Sequence, residues 1–362
     1  VDDSSAETAR TTLVVVFGGQ SAEHDVSCVT AAHVLRAVDR RKYSIVAIGI
    51  DRDGQWHLAE GAMAALDRGP NELQTRLEAA GREVSSAPVL SAAASAGPVV
   101  VMPLLHGPLG EDGTIQGLLE LMGLPYVGTG VLGSALGMDK GMAKNALAAF
   151  GIPQPNFVAL REHEVTTSRL DEVVDALGLP MFVKPANMGS SVGVAKVSTR
   201  DELMPAVRAA LAYDEWIVCE EAIVGREIEV AVLGNIETVA SVAGEIVPGN
   251  DFYDYEDKYV TDGASLIIPA DLTTEQSDEV RRLALRVFAA LRCEGLARVD
   301  FFFEPEGRGF LCNEVNTMPG FTPISMYPKL WQASGVSYPE LIDRLVDLAI
   351  ERHTRRRRNT VR

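Results

Sequence analysis

The sequence predicts an α/β plus α+β protein, in which an open, mostly parallel N-terminal α/β domain is followed by smaller α+β units. Three observations predict this. Continuous apolar runs such as Leu13–Phe17 and Val99–Leu105 alternate with helix-patterned segments, as in a parallel sheet covered on both faces. Pro153 and Pro155 then mark a boundary, beyond which short strands and helices surround a Gly/Ser loop. From Arg298 to Gly320, two aromatic-rich, β-prone runs flank Pro305-Glu306-Gly307-Arg308-Gly309, which reads as a β-hairpin.

The elements follow in order. Residues 13–17 are a buried strand ending in a Gly18-Gly19 turn. The helix after it places Val26, Val29, His33, Val34 and Ala37 near one face. Ser44–Ile50 and Val99–Leu105 are further strands, Gly113–Gly123 a helix, and Pro125-Tyr126-Val127 a short strand. Residues 60–97, rich in Ala, Gly and Ser, read as a surface insertion with some helix. Asp139 can cap a helix carrying Lys140 and Lys144, closed by Gly151. The central unit is expected to hold a helix near 169–177, strands Met181–Lys184 and Val192–Val197, and a helix over 200–212. Strands Trp216–Glu221 and Glu227–Leu233 complete it. Residues 244–264, with three tyrosines, read as a long loop. Thr273 or Thr274 caps a helix with Val280, Leu283, Val287 and Leu291 on one face, and a last helix runs from about Pro339 to Glu351. The expected units are 1–138, 139–243 and 244–362.

Composition narrows the function. The hydrophobic fraction of 47% is that of a soluble globular chain, and no apolar run is long enough to span a membrane. The acidic, polar first residues are unlike a signal peptide and read as a disordered lead-in. Net charge is −17. The last twelve residues carry six arginines and one glutamate, so the remainder stands at −22. An acidic body argues against nucleic acid as a partner, and Arg355–Arg358 reads as a frayed, solvated tail. The four cysteines, Cys28, Cys219, Cys293 and Cys312, are far apart and form no Cys-x-x-Cys, which fits a reducing cytoplasm.

The hairpin carries the first candidate chemistry. Strand period puts Arg298, Asp300, Phe302 and Glu304 on one face, with Glu314 and Asn316 on one face of the partner strand. Carboxylates in apolar surroundings are costly unless paired or bound to a cation. Two carboxylates and an amide oxygen suit Mg²⁺. The alternative is a hairpin whose polar residues simply reach water. Lys184 ends a buried strand before Met188-Gly189-Ser190-Ser191-Val192-Gly193, a loop whose backbone N–H groups can converge on an anion. It is not a Walker A loop, because the lysine precedes the glycines. Lys140 could supply a second cation. Glu220 and Glu227, on neighbouring strand ends, could accept from ribose hydroxyls, or be solvated acids. Glu23 and His24 follow the first strand, and His106-Gly107-Pro108-Leu109-Gly110-Glu111-Asp112-Gly113 follows the third. Both lie at the carboxyl edge of the sheet, where open α/β folds bind ligands.

Taken together, these stretches resemble the ATP-grasp ligases, and within them the D-alanine–D-alanine ligase family. The motifs are Phe-Gly-Gly-Gln-Ser-Ala-Glu-His-Asp-Val-Ser (17–27), the His106–Gly113 loop, Met-Asp-Lys (138–140) and Lys-Pro-Ala-Asn-Met-Gly-Ser-Ser-Val-Gly (184–193). Tyr-Asp-Tyr-Glu-Asp-Lys-Tyr (253–259), Arg-Val-Asp (298–300) and Asn-Glu-Val-Asn-Thr-Met-Pro-Gly-Phe-Thr (313–322) complete the set, in family order from residue 13 to about 350. The resemblance implies an ATP-grasp fold, behind the N-terminal α/β domain, that joins two D-alanines through an acyl phosphate for peptidoglycan precursors. ATP and two Mg²⁺ (or Mn²⁺) are implied cofactors, in a cytoplasmic homodimer.

By the same resemblance, Lys140, Lys184, Ser191 and Lys258 contact nucleotide phosphates, while Glu220, Ile223, Glu227 and Phe302 hold the nucleoside. Asp300, Glu314 and Asn316 carry the metals. Arg298 and the Gly320 N–H stabilise the oxyanion, and Glu23 pairs with the first ammonium. Ser190 and Tyr259 link to Glu23, and residues 244–264 form a lid. His106 faces the substrate, and Ser325 with the Met326 backbone receives the second carboxylate. Glu221-Ala222 departs from the lysine and aromatic that relatives often carry beside the adenine. A D-alanine–D-lactate ligase, or another ATP-grasp carboxylate–amine ligase, is the alternative. Tyr259 stands where lactate-using relatives tend to have histidine.

Overall fold

The computed structural model describes residues 10–247 and 265–356. Strand β1 (Thr11–Gly18) forms the middle of the first sheet because its side chains from Leu13 to Phe17 are apolar on both faces and fully buried. It pairs in parallel with β2 (Tyr43–Ile50) and with β5 (Val99–Pro103). Two short strands, β3 (Trp56–Leu58) and β4 (Arg82–Val84), extend the sheet antiparallel, giving the order β4-β3-β2-β1-β5. The sheet is therefore mixed, where a mostly parallel one was expected.

The same observation corrects the reading of residues 60–97 as a surface insertion. They supply β4, helix α2 (Glu60–Arg68) and helix α3 (Ser86–Ser95), and they bury Leu66, Leu73, Leu77 and Leu90 in the core. Their small residues hid this, because a few leucines carry the packing. The expected strand at Pro125–Val127 is reduced to a single bridge between Val101 and Tyr126.

Four residues separate the Gly18-Gly19 turn from helix α1 (His24–Ala37), which covers β1. Gly18 is required there. Its φ is +89°, and a Cβ would sit 2.1 Å from the Ile50 carbonyl oxygen. Helix α4 (Thr114–Leu121) falls within the expected span, and α5 (Val131–Met138), which was not foreseen, follows it. Asp139 then caps α6 (Lys140–Ala149) by accepting from the Met142 N–H at 2.9 Å.

A four-stranded sheet follows, in the order β6-β9-β7-β8, from β6 (Phe157–Arg161), β7 (Met181–Pro185), β8 (Ala195–Val197) and β9 (Trp216–Glu221). Helices α7 (Thr167–Leu177) and α8 (Arg200–Leu211) cover it. Strand β8 is shorter than the expected Val192–Val197, because residues 190–193 stay in the turn that precedes it.

The third sheet has the order β12-β11-β10-β13-β14. Its members are β10 (Arg226–Gly234), β11 (Thr238–Val247), β12 (Ser265–Ile267), β13 (Gly295–Glu304) and β14 (Gly309–Asn316). The strand foreseen at Glu227–Leu233 thus belongs with the hairpin, not with the central unit. The sheet changes between Glu221 and Arg226, ahead of the boundary expected at 243. Gly244–Val247, expected at the start of a long loop, is the end of β11. The rest of that loop, with Tyr253, Tyr255, Lys258 and Tyr259, lies outside the described residues, as do Arg357 and Arg358.

Helix α9 (Thr274–Ala290) opens with a capping box between Thr273 and Gln276 and packs its Val280, Leu283, Val287 and Leu291 face on this sheet. Helices α10 (Met326–Ala333) and α11 (Tyr338–Arg356) return to the first sheet. There Tyr327, Trp331, Leu341 and Leu345 share one core with Leu13, Val15 and Phe17.

The expectation of a frayed basic tail fails for its described part. Arg352 is 2% exposed, and its guanidinium donates to the carbonyls of Gly128 and Tyr126. Arg355 and Arg356 pair with Glu294, and Arg356 also with Glu120. A buried carbonyl needs a donor, and a charged one serves well. No described helix is long and apolar enough to cross a membrane.

Candidate active site

The three sheets surround a cavity of about 1440 Å³. One wall is the hairpin. Arg298 lies opposite Asn316 in register, and Asp300 opposite Glu314. A bulge follows Asp300, so that Asn313 is left over and both Asn313 and Glu314 reach the cavity. Arg298 Nε and Nη2 donate to the two carboxylate oxygens of Asp300, each at 2.7 Å. Asn316 Nδ2 donates to the same carboxylate at 2.9 Å. Glu229 on β10, 4% exposed, closes on Arg298 from the other side at 2.9 Å. Burial works against the guanidinium charge, but Asp300 and Glu229 outweigh it and raise the Arg298 pKa. Sequence reasoning missed Glu229. Its signal was there, because Glu227 and Glu229 share one strand face two residues apart.

A second wall comes from the β7–β8 turn. Ser190 and Ser191 adopt left-handed backbone, with φ of +48° and +59°. Non-glycine residues rarely hold that conformation, and it tends to occur at functional sites. Here it turns the loop so that Ser190 Oγ donates to Glu23 Oε1 at 2.5 Å. Glu23 stands at the start of α1 and is 9% exposed. A Cβ on Gly189 would lie 2.7 Å from Glu23 Oε2, so a larger residue there would push that carboxylate aside. Lys140, at the start of α6, donates to the Met188 carbonyl of the same loop at 2.6 Å. His24 does not join the cavity wall. Its Nδ1 lies 2.8 Å from the Gly19 carbonyl and braces the turn.

The loop after β5 makes the third wall. His106 is 4% exposed, with Nδ1 3.0 Å from the Met318 carbonyl, and its Nε2 has no hydrogen-bond partner among the described residues. Burial lowers its pKa. Glu111 accepts from the Gly107 N–H at 2.7 Å and from the Met318 N–H at 3.1 Å, so it ties this loop to the segment beyond β14. Burial, helped by the charge on Glu23, pushes the Glu111 carboxyl up to about 8. Glu111 was inside a quoted motif, but nothing in its spacing marked it as a brace.

Of the described residues nominated from the sequence, all but Glu220 and His24 line this cavity. Glu23, His106, Lys140, Lys184, Ser190 and Ser191 lie on its walls, and so do Ile223, Glu227, Arg298, Asp300 and Phe302. Glu314, Asn316, Gly320, Ser325 and Met326 complete it. Ser325 Oγ accepts from the Thr322 N–H at 3.1 Å, just ahead of the α10 N-terminus. Glu220 lies behind the wall, 1% exposed, between Lys184 at 2.7 Å and the buried Lys144. Burial would raise its carboxyl, but the two ammonium groups override burial and hold it at about 2. Glu221, beside it, accepts from Arg308 at 2.7 Å.

Two family models match the chain. "D-ala D-ala ligase N-terminus" covers residues 12–129 and "D-ala D-ala ligase C-terminus" covers residues 146–347. This chain belongs to the D-alanine–D-alanine ligase family. Among its relatives, the D-alanine–D-alanine ligase of Geobacillus kaustophilus is 48% identical over 352 residues, covering 95% of this chain and 96% of the relative. That of Acetivibrio thermocellus is 44% identical over 365 residues, covering 94% and 96%. The D-alanine–D-alanine ligase structure from Coxiella burnetii aligns with a TM-score of 0.80 at 36% identity, covering 96% of each chain. A D-Ala:D-Ser ligase structure from Enterococcus faecalis aligns at 0.79 and 33%, covering 94% of this chain and 100% of that one. In the ligase family the nucleotide and both amino acids must meet in one place. Here Lys140 and Lys184 share one cavity with Asp300 and Glu314, which are paired in register.

Proposed function

We propose that this ligase joins two D-alanines to D-alanyl-D-alanine with ATP, as a step in peptidoglycan precursor synthesis. The observation that carries the proposal is that the described candidates from three separate sheets, Glu220 and His24 apart, converge on one cavity. The reaction balances as two transfers. A carboxylate oxygen of the first D-alanine takes the terminal phosphoryl group of ATP, releasing ADP. The amine of the second D-alanine then attacks the acyl carbon and loses a proton, and the C–O bond to phosphate breaks.

The chain's residues divide the work. Glu23, steadied by the Ser190 hydroxyl, receives the first ammonium. His106 stands beside it in the cavity. Lys140, Lys184 and Ser191 receive phosphate oxygens, while Ile223, Glu227 and Phe302 form the nucleoside end. Glu220 serves that end from behind the wall. Arg298 and the Gly320 N–H face the oxygen that gains charge as the tetrahedral carbon forms. Ser325 and the Met326 N–H, at the start of α10, receive the second carboxylate, where a helix N-terminus favours an anion.

Asp300, Glu314 and Asn316 would hold two Mg²⁺ or Mn²⁺ ions. Their hard oxygen donors and local negative charge fit such ions. Bound there, the metals would neutralise phosphate charge. Lys258 and Tyr259 lie outside the described residues. The family resemblance supports a cytoplasmic homodimer, and four buried, unpaired cysteines agree with a reducing compartment.

A second reading, with D-serine or D-lactate as the acceptor, is raised by the likeness to the D-Ala:D-Ser ligase. Phosphate release decides between them. Release that needs both ATP and D-alanine, with L-alanine inert and no gain on adding D-serine or D-lactate, supports the proposal. Release without D-alanine sinks it.

A further inference from the structure

Lys144 is a buried cation that no part of the reaction above uses. It is 3% exposed and does not line the cavity, so it cannot touch a ligand there. It lies on α6 one turn beyond Lys140, on the same face. Its ammonium pairs with Glu220 Oε2 and lies 5.6 Å from the Phe157 ring centroid. The other oxygen of Glu220 is taken by Lys184 Nζ at 2.7 Å, and Lys184 does line the cavity. Lys184 and Glu220 are near neighbours on adjacent strands β7 and β9, because Phe182 is the register partner of Glu220.

Charge decides what this cluster does. An ammonium and a carboxylate in contact present almost no net charge to their surroundings. Lys184 with Glu220 alone would therefore be a neutral pair behind a site meant for phosphate. With Lys144 on the far oxygen, the three groups sum to +1, and the charge nearest the cavity is that of Lys184.

We propose that Lys144 is a positioning residue. It occupies one oxygen of Glu220 so that Glu220 does not draw Lys184 back from the nucleotide phosphates. The inference rests on the cavity being a nucleotide site. It adds to that reading a residue that acts through another without touching the ligand.

The test is a two-by-two set: wild type, Lys144→Met, Glu220→Gln and the double variant. Affinity for ADP is measured by calorimetry, KM for ATP and for D-alanine by phosphate release, and Tm as a control. Lys144→Met is expected to weaken ADP about tenfold and raise KM for ATP to match, because Glu220, freed of Lys144, then closes on Lys184 alone and holds it back from the phosphates. KM for D-alanine is expected to stay within about twofold, a split that general loosening of the fold would not produce. In the Glu220→Gln background the carboxylate that links Lys144 to Lys184 is gone. The same Lys144→Met change is expected there to alter ADP affinity less than about twofold.

An equal loss in both backgrounds overturns the inference, and so does unchanged ADP affinity in Lys144→Met. If Lys144→Met fails to fold, the comparison of Glu220→Gln with the double variant decides alone, and a further loss of about fivefold or more in the double variant is the overturning result. Failure of the wild type to bind ADP would instead sink the nucleotide reading of the cavity.

Discussion

Replacing Arg352 by methionine tests the C-terminal anchoring most sharply. Methionine matches the aliphatic stem of arginine, so packing along the stem is largely kept. The guanidinium is lost, and with it the donors to two buried carbonyls, Gly128 and Tyr126. Its carbon centre also lies 4.1 Å from the Tyr126 ring centroid. Hydrogen bonds from a charged donor contribute roughly 1.5–3 kcal/mol each. A desolvated cation over an aromatic face adds up to about 2 kcal/mol. These contributions are not additive, because the same burial that strengthens the bonds also lowers the Arg352 pKa, desolvation being the leading cause. A net loss of about 3–5 kcal/mol is expected, which for a chain of this size lowers Tm by roughly 5–10 °C. Thermal unfolding followed by circular dichroism measures it. Arg344→Met is the control, because Arg344 is exposed and, among the described residues, pairs with Glu340 four residues back, and it should shift Tm by about 1 °C or less. If Arg352→Met falls within about 2 °C of wild type, the terminal helix is not anchored as described.

Three further outcomes follow from the site. Glu314→Gln is expected to fold normally but lose at least about a hundredfold in kcat, because a charged metal ligand is gone; near-normal turnover would remove Glu314 from the metal set. Glu23→Ala is expected to raise KM for the first D-alanine about tenfold or more while KM for ATP moves less; equal effects on both would make Glu23 a structural residue. Glu220, held at about 2 in the fold, contributes stability that is complete above its ordinary value near 4.5 and is lost as pH falls from there toward 2. Wild type should lose stability over that acid range more steeply than Glu220→Gln, and parallel pH profiles would show that the Lys144 and Lys184 pairs do not hold that charge.

Much of the site was legible because its chemistry is local in sequence. Strand period alone placed Arg298 and Asp300 on one face and Glu314 with Asn316 on its partner, as the register confirms. Asp139 and Thr273 were readable as caps because their hydrogen bonds close within three residues. What escaped depends on long-range contacts. Pairing of β10 with β13 joins residues about seventy positions apart, so the third sheet could not be assembled from spacing. Arg352 looks like any tail arginine until Tyr126 and Gly128 are folded beneath it. Glu220 read as a nucleoside contact or a solvated acid, and Lys144 only as a residue of the helix that carries Lys140. Only the meeting of α6 with β9 buries them together. Residues 60–97 misled because alanine and glycine carry little periodic signal, while a few leucines, Leu66, Leu73, Leu77 and Leu90, fix the segment to the core.

The most direct measurement is the identity of the product. Purified protein is given ATP, Mg²⁺ and equal concentrations of D-alanine, D-serine and D-lactate, and the mixture is resolved by mass spectrometry after one turnover's worth of phosphate is released. The expected result is D-alanyl-D-alanine as the dominant product, formed in step with ADP and phosphate and absent when either ATP or D-alanine is withheld. A dominant D-alanyl-D-serine or D-alanyl-D-lactate product, or phosphate released with no dipeptide formed, would contradict the account.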